Sequence, residues 1–265
     1  MKVKDLFELR GTLDKKTNLA IGLAGFVFLL SIWSFIASTN WIPQQILPSP
    51  WKVLLSFREL HFKDALVRNA GFSIYLNFMG YIEAIIISLF AGFVMGLFPL
   101  FRSLFSRYVN AIRFIPLNAV TGIFIAWFGI YNGFKVNFLA AGIIVYLIPV
   151  VIQRIDEVET VYDQTALTLG ASMWQRIWKV YRPYVMSKIS DDIRVLTAIS
   201  WTYIIIAENI NAVGGLGTLS YLAVRQSRVD KALAVLLIYI LIGFLQDRLF
   251  LTLDHLCFKH KRVKA

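Results

Sequence analysis

Long runs of residues without a formal charge constrain this chain more than any other feature. No Asp, Glu, Lys or Arg stands between Lys16 and Lys52, and residues 136–153 carry none either. A helix needs about 20 apolar residues to cross a bilayer. The 265 residues are 58% hydrophobic and only 16% charged, whereas soluble domains carry about 45–50% and about 25%. The sequence therefore predicts an all-α, polytopic membrane protein.

Six apolar blocks predict about six transmembrane helices. The first, residues 19–38, exceeds the apolar stretch of about 7–15 residues in a secretory signal, so we expect a retained span. The other blocks cover about 69–100, 108–127, 136–153, 195–213 and 232–253. We expect one membrane domain, residues 19–253, between an N-terminal segment, 1–18, and a basic tail, 254–265.

The placement of Lys and Arg predicts that both termini lie in the cytoplasm. Of the 27 Lys and Arg residues, Arg113 falls within a span and eight fall in the segments expected outside, 39–68, 129–135 and 213–231. The other eighteen fall in the segments expected inside, 1–18, 99–108, 153–194 and 247–265. Cytoplasmic loops carry such an excess. Membrane topology thus explains much of the net charge of +11 without nucleic acid as a partner.

No pattern in the sequence predicts a metal site or a catalytic site. The single cysteine, Cys257, cannot form an intramolecular disulfide. The three histidines, His61, His255 and His260, lack the spacing of metal ligands. The chain also lacks the GxxxxGK[ST] phosphate loop. We therefore expect no metal, no cofactor and no catalytic residue in this chain.

One polar segment, QTALTLGASMWQRIWKVY at residues 164–181, stands out in this apolar chain. Gly170 suits a left-handed helix C-cap, so we expect a helix over about 157–169 to end there. Residues 172–175, beginning with Ser172, have the form of a capping box that starts a second helix. Pro183 is expected to break or redirect the chain soon afterwards. The pattern predicts a helix, a sharp corner and another helix, within a cytoplasmic loop of about residues 154–194.

The second of these helices presents large apolar side chains beside basic ones. Met173 and Ile177 share one side, with Trp174 and Trp178 one turn apart beside them. Two interpretations remain open from the residues alone. The helix could lie on the inner leaflet as an amphipathic anchor, or it could be a docking surface for a protein partner.

Polar side chains within the predicted spans are candidates for a translocation pathway, since charged groups in a bilayer usually face protein or water. The candidates are Glu83, Arg113, Asn118, Glu208 and Asn209. Each also has a structural interpretation. Arg113 could extend to the inner surface beside Arg107, Glu208 could form structural hydrogen bonds, and Glu83 could pair with either. The asparagines could bridge helices.

The polar segment resembles the EAA loop of the permease subunits of ABC importers. That motif reads Glu-Ala-Ala, three residues, Gly, and Pro thirteen residues later. Gly170 and Pro183 keep this spacing, whereas Gln164 and Thr165 replace the first Glu and Ala. The resemblance implies that the segment couples to an ATPase, through Gln164, Thr165, Ala166, Gly170, Ala171, Ser172, Met173, Trp174, Ile177, Trp178 and Pro183.

Three further segments resemble the branch of this family that imports nitrate, taurine, aliphatic sulfonates, bicarbonate and pyrimidine precursors. LPSPWKV at 47–53 is similar to an outer LPSP motif of that branch. RFIPLNAVTGIFIAWFG at 113–129 is similar to its IPxxAxxPLxxxWFG segment, with Gly122 at the usual second proline. AENINAVGGLG at 207–217 matches its AE…GLG pattern. The ordered set covers residues 47 to 217.

The resemblance implies a type I ABC importer permease fold, with a cytoplasmic coupling helix, in a bacterial inner membrane. Expected partners are two cytoplasmic ATPase subunits that hold ATP and Mg, a second permease copy (usually identical), an external substrate-binding protein and membrane lipid. The branch favours a small anion or sulfonate-like solute. Two other classes remain open, a membrane-integral enzyme and a stand-alone secondary carrier, although carriers often show duplicated halves that are not visible here.

Overall fold

The computed structural model describes residues 11, 13–39, 41–210 and 213–258, and every regular element in these ranges is helical. The α-helices are α1 (Lys15–Ser38), α2 (Pro50–Phe62), α3 (Leu66–Leu97), α4 (Pro99–Ile112), α5 (Thr121–Phe128), α6 (Asn132–Asp156), α7 (Thr160–Thr168), α8 (Met173–Arg176), α9 (Arg182–Ile210), α10 (Leu216–Arg225) and α11 (Val229–Cys257). A 3₁₀ turn, Leu117–Val120, precedes α5, and a π-helical turn, Ile177–Tyr181, joins α8 to α9. The all-α prediction is confirmed.

Five helices are long and apolar enough to cross a membrane: α1, α3, α6, α11 and the continuous helix Met173–Ile210 that contains α8 and α9. The predicted span over 108–127 is instead a broken pair, in which Pro99–Ile112 and Leu117–Phe128 meet at 97°. Pro116 lies at this break, where it lacks an N–H and disfavours helical backbone in the residue before it. Six spans result when the bent pair counts as one.

Helices α3, α6 and α9 form the centre of the bundle, with Leu139, Ile143 and Leu147 of α6 fully buried. Small residues let α3 approach α6 closely. A Cβ added at Gly80 would lie 2.7 Å from the carbonyl oxygen of Val136. Contacts of this kind replace the hydrophobic effect as the packing force between helices in lipid.

Helix α1 lies at the edge of the bundle, and Ala37 is its one buried residue. It packs against α2 and the chain before it, where the Trp33 indole Nε1 donates to the carbonyl of Pro48 at 3.0 Å. Ser49 caps α2 and Pro50 opens it. Helix α2 is thus a short helix between the first two spans.

Ion pairs tie the helices together at the end of the bundle that carries α7 and α8, called here the α7–α8 end. Arg154 in α6 forms two hydrogen bonds with Asp192 in α9, at 2.7 and 2.8 Å. Arg194 in α9 pairs with Asp247 in α11 at 2.6 Å. These pairs join α9 to α6 and to α11 just before the apolar block that begins at residue 195.

A second ion-pair cluster lies at the opposite end of the bundle. Lys231 at the start of α11 pairs with Asp64 at 2.6 Å and with Glu59 of α2 at 3.4 Å. Arg228 pairs with Glu59 at 3.1 Å and with Asp230 at 2.8 Å. The Arg228 guanidinium and the Lys231 ammonium hold the pKa of the Glu59 carboxyl below its usual range. The cluster fixes α2 against the start of α11.

Candidate coupling segment and translocation cavity

The polar segment predicted to contact a partner, residues 160–183, is called here the coupling segment. Its first helix, α7, ends in a Schellman motif. The Ala171 N–H donates to the Ala166 carbonyl at 2.9 Å, and the Gly170 N–H donates to the Leu167 carbonyl at 2.9 Å. Gly170 has φ +76°, a left-handed conformation that glycine adopts without strain. The predicted corner is confirmed.

The second helix of the segment begins with the predicted capping box. Ser172 Oγ accepts from the Gln175 N–H at 3.3 Å, and Gln175 Oε1 accepts from the Ser172 N–H at 2.8 Å. An ion pair then joins the two helices across the corner. Arg176 Nε donates to Asp163 Oδ1 at 2.7 Å, and Arg176 Nη2 contacts the second carboxylate oxygen. The corner is therefore fixed by the backbone, by a cap and by a charged pair.

Three large apolar side chains project from the coupling segment. Trp174, Trp178 and Met173 are 63%, 55% and 51% exposed. The Arg182 guanidinium lies over the Trp178 ring at 4.4 Å, which restricts that indole through a cation–π contact. Ile177 is half-buried behind them. The predicted apolar surface is thus present on the folded chain.

Pro183 does not break the chain, which corrects the prediction from sequence. The helix that starts at Met173 continues to Ile210, and Pro183 is its eleventh residue. In a regular α-helix the proline ring would clash with the carbonyl of Lys179. The π-helical turn Ile177–Tyr181 stands immediately before it, with the Arg182 N–H donating to the Ile177 carbonyl five residues back. This wider turn accommodates the proline and keeps the helix continuous.

The first positions of the EAA-like motif lie on the exposed side of α7. Gln164 and Thr165 are exposed, and the Thr165 hydroxyl donates to the Val161 carbonyl of its own helix at 2.7 Å. A hollow of about 470 Å³ separates α7 from the start of α9 and is lined in part by Thr165, Ala166 and Pro183. The fold thus brings the two ends of the motif to one place.

Glu208 lies in a sealed hydrogen-bonded network near the end of α9, with no exposed surface. Its carboxyl group accepts from Ser73 Oγ of α3 at 2.6 Å and from the Gly217 N–H at 2.7 Å. Ser73 Oγ accepts in turn from the Leu216 N–H at 2.8 Å. A Cβ on Gly215 would overlap the carboxylate. This is the structural arrangement that the sequence left open as an alternative to a pathway role.

Lys135 is buried, although the sequence predicts that it lies in the outer segment 129–135. Lys135 is 1% exposed in the first turns of α6. Its Nζ donates to the Val213 carbonyl at 3.4 Å and lies 5.4 Å from the centre of the Phe72 ring. The position of Lys135 directly before the apolar block that begins at residue 136 was the one signal in the sequence that it could be buried.

Residues 211 and 212 of the AENINAVGGLG motif lie outside the described ranges.

Arg113 and Asn118 both line a cavity of about 560 Å³ beside the break between α4 and α5. On α6, the cavity reaches Tyr146, about 15 Å from Asp156 at 1.5 Å per residue. Arg113 itself is exposed on the surface of the single chain, and its side chain borders this cavity. The Arg113 guanidinium lies 5.3 Å from the centre of the Phe114 ring.

The structure does not place the two remaining pathway candidates in this cavity. Glu83 is half-buried in α3, and within the described residues no ion pair joins it to Arg113 or to another residue. Asn209 is half-buried near the end of α9, and its Oδ1 is buried without a hydrogen-bond partner in the described part of the chain. Of the five candidates, the fold brings together Arg113 and Asn118.

Residues 84–256 match the family described as the binding-protein-dependent transport system inner membrane component. A putative aliphatic sulfonates transport permease from Bacillus subtilis is 26% identical over 83% of this chain and 79% of its own length. A taurine transport system permease from Escherichia coli is 27% identical over 90% of this chain and 88% of its own length.

Solved structures share the fold. A chain of the MetNI methionine ABC transporter in an inward-facing conformation aligns with a TM-score of 0.65 and 18% identity, covering 72% of this chain and 94% of that one. A chain of an amino acid ABC transporter aligns with a TM-score of 0.57 and 16% identity, covering 77% and 97%. With the family match over residues 84–256, this chain belongs to the inner membrane components of binding-protein-dependent transport systems, the permease subunits of ABC importers.

Proposed function

We propose that this permease subunit transmits the motion of separate ATPase subunits through the coupling segment, residues 160–183. The observation that carries the proposal is the helix Met173–Ile210. It begins with the exposed Trp174 and Trp178 and continues without a break into the buried centre of the bundle. A rigid helix of this kind moves as one body when its exposed end is displaced.

The orientation of the chain in the membrane follows from the distribution of its Lys and Arg residues. The α7–α8 end contains the segments 99–108 and 153–194, which are rich in Lys and Arg, and cytoplasmic loops carry that excess. We place the coupling segment and both termini in the cytoplasm of a bacterial cell. ATP and Mg then belong to the partner ATPases, and the opposite end faces an external binding protein.

A second permease copy completes the pathway in this proposal. Large apolar side chains such as Phe90 (74% exposed) and Phe114 (77% exposed) lie on the surface of the single chain. Lipid and a second subunit together cover such surfaces in a membrane. We propose an identical copy, since two identical chains supply two matching coupling segments for two identical ATPases.

The proposed substrate is a small sulfonate-like anion. The cavity at the α4–α5 break contains Arg113 and no carboxylate among its lining residues. An unpaired cation at this depth favours a solute with a negative charge. The names of the Bacillus subtilis and Escherichia coli relatives, which refer to sulfonates and taurine, agree with this choice.

Copurification tests the coupling role. The complex is expressed with a tagged permease, and the ATPase recovered per permease is measured. We expect Trp174→Ala with Trp178→Ala to lower recovery at least tenfold, since exposed tryptophans dominate docking surfaces. Trp41→Ala is the matched control, because Trp41 is 83% exposed and lies outside the segment.

Equal recovery of the ATPase with the double variant and with the control would remove the coupling role. Recovery of no ATPase with the wild-type chain would also contradict the coupling role. Thermal unfolding of each purified variant separates a docking defect from a folding defect, because all three side chains are more than half exposed.

A further inference from the structure

The cavity at the α4–α5 break lies near the middle of the bundle. Its α6 lining includes Gly142 and Tyr146, and α6 runs from Asn132 to Asp156. At 1.5 Å per residue, Tyr146 is about 15 Å from one end of this helix and about 21 Å from the other. A cavity of about 560 Å³ at this depth is large enough for a small organic solute.

The backbone at this cavity departs from a regular helix. After Ile112 the backbone hydrogen bonds join residues three positions apart, as in a 3₁₀ turn: the Phe114 N–H donates to the Ala111 carbonyl, and the Ile115 N–H donates to the Ile112 carbonyl. The chain then turns by 97°. Broken backbone at membrane depth is tolerated only where protein or a water-filled cavity satisfies its polar groups. The break therefore places backbone polar groups beside the cavity. Its lining is mostly apolar, and the polar side chains in it are Arg113, Asn118, Tyr146 and Tyr203.

Arg113 gives the cavity a positive charge that the described residues do not neutralise. Its guanidinium faces the Phe114 ring, and no carboxylate lines the cavity. Arg154 and Arg194 of the same bundle, by contrast, each pair with an aspartate at 2.7 Å or less. A planar guanidinium with free N–H groups matches the oxygens of an anionic group bidentately.

Two tyrosine hydroxyls add neutral donors to the same cavity. Tyr203 of α9 and Tyr146 of α6 both line it. Each hydroxyl carries one O–H that can donate to a ligand. Gly142 makes room for this arrangement, because a Cβ there would lie 2.6 Å from the Tyr203 ring.

We infer that this cavity binds the sulfonate group of the transported solute, with Arg113 as its counter-ion and the Tyr146–Tyr203 pair and Asn118 as neutral donors. The inference rests on the proposed function and assigns the specificity of the pathway to these side chains. Phe124 and Trp127 form an aromatic wall for the organic part of the solute. A sulfonate keeps its charge at any physiological pH, so a permanent cation suits it.

Uptake of taurine by proteoliposomes tests the inference. The vesicles contain the complete complex, with its ATPases and binding protein. We expect Arg113→Gln to lower uptake at least tenfold, Arg113→Lys to retain part of it, and Tyr203→Phe to raise the KM severalfold. Arg107→Gln is the matched control, because Arg107 is an exposed arginine of α4 that does not line the cavity.

The outcomes separate this inference from the proposal on which it rests. If the wild-type complex retains its ATPase but takes up neither taurine nor methanesulfonate, the proposed substrate class is wrong, and this inference is wrong with it. If the wild-type complex takes up taurine and Arg113→Gln does so equally well, only the assignment to this cavity is wrong. Copurified ATPase shows that each variant is assembled.

A labelling measurement tests the cavity without transport. The chain has a single cysteine, Cys257, so Cys257→Ser with Asn118→Cys places one thiol at the cavity. Each rate is divided by the rate of the same reagent with a free thiol in solution. On this scale we expect the anionic sulfonatoethyl methanethiosulfonate to react at least threefold faster than the cationic trimethylammonium reagent. Adding Arg113→Gln should abolish this preference, and taurine should slow the reaction while Arg113 is present. Equal rates with Arg113 in place would overturn the inference.

Discussion

Replacing Gly170 by alanine isolates the contribution of one backbone conformation to docking. Gly170 has φ +76°, and apart from its two chain neighbours no atom of the described residues lies within 4 Å of the position that a Cβ would occupy. The substitution therefore adds strain without a collision. Gly92 provides the contrast, because a Cβ there would lie 2.5 Å from the Cβ of Val151 in the core.

The size of the expected effect on binding follows from the left-handed conformation of residue 170. For a residue other than glycine this conformation costs about 1–2 kcal/mol. Short helices are marginal in water, and α7 has nine residues, so this strain acts directly on the population of the folded corner. Since 1.4 kcal/mol is a factor of ten, Gly170→Ala should weaken ATPase binding by about 5- to 30-fold. Asparagine tolerates this conformation better, so Gly170→Asn should weaken binding less.

Two measurements on the same preparations test this reasoning: the dissociation constant for the ATPase in nanodiscs, and the thermal midpoint of the permease alone. We expect Gly170→Ala to raise the dissociation constant for the ATPase. The thermal midpoint of the permease should stay within about 1 °C, because the corner lies outside the core. Gly92→Ala should lower the midpoint by several degrees, since overpacking costs about 1–3 kcal/mol.

Two results would refute the backbone explanation. Unchanged binding with Gly170→Ala would show that the corner does not need its left-handed residue. Weaker binding with asparagine than with alanine would point to side-chain volume, and so to close approach of the partner at Gly170. The Asp163–Arg176 ion pair offers an independent check, because Asp163→Asn should weaken binding in the same direction.

The remaining predictions concern stability. Glu208→Ala should destabilise the purified permease by about 2–4 kcal/mol, because the buried donors Ser73 Oγ and Gly217 N–H lose their acceptor. Glu208→Gln keeps one acceptor oxygen and should cost about half as much; a glutamine variant less stable than the alanine variant would contradict this account. Glu59 has a lowered pKa because the Arg228 guanidinium bonds to it, so its contribution is present above the ordinary value of 4.5 and is lost as pH falls through the lowered pKa. Thermal midpoints of wild type and Glu59→Gln should therefore differ at pH 7 and converge in acid, and a constant difference across pH would contradict the assignment.

Local signals in the sequence were sufficient for the coupling segment. Gly170 ends α7, and Ser172 with Gln175 caps α8, as predicted. These features depend on bonds between residues at most five positions apart, so the residues themselves specify them. The prediction that Pro183 breaks the helix is wrong. It assumes a regular α-helix before the proline, whereas the chain forms a π-helical turn there.

Hydropathy likewise located the spans but not their internal geometry. It placed a helix over 108–127, where the chain bends by 97° at a break that contains Pro116. It also placed Lys135 in a loop, although this lysine is buried beside Phe72 and bonds to the Val213 carbonyl. Hydropathy averaged over a window of residues reports the apolar content of that window. It does not report which neighbouring residue forms a hydrogen bond with a polar group.

The sequence by itself determined the membrane class, the span count, the family and the helix corner of the coupling segment. Only the tertiary structure decided the surroundings of each polar group in the membrane. Glu208 is buried and hydrogen-bonded to Ser73 and Gly217, whereas Arg113 borders a cavity together with Tyr203. The physical reason is that an intramembrane charge must find a partner or water, and the folded chain brings such partners from distant positions, as it brings Ser73 to Glu208.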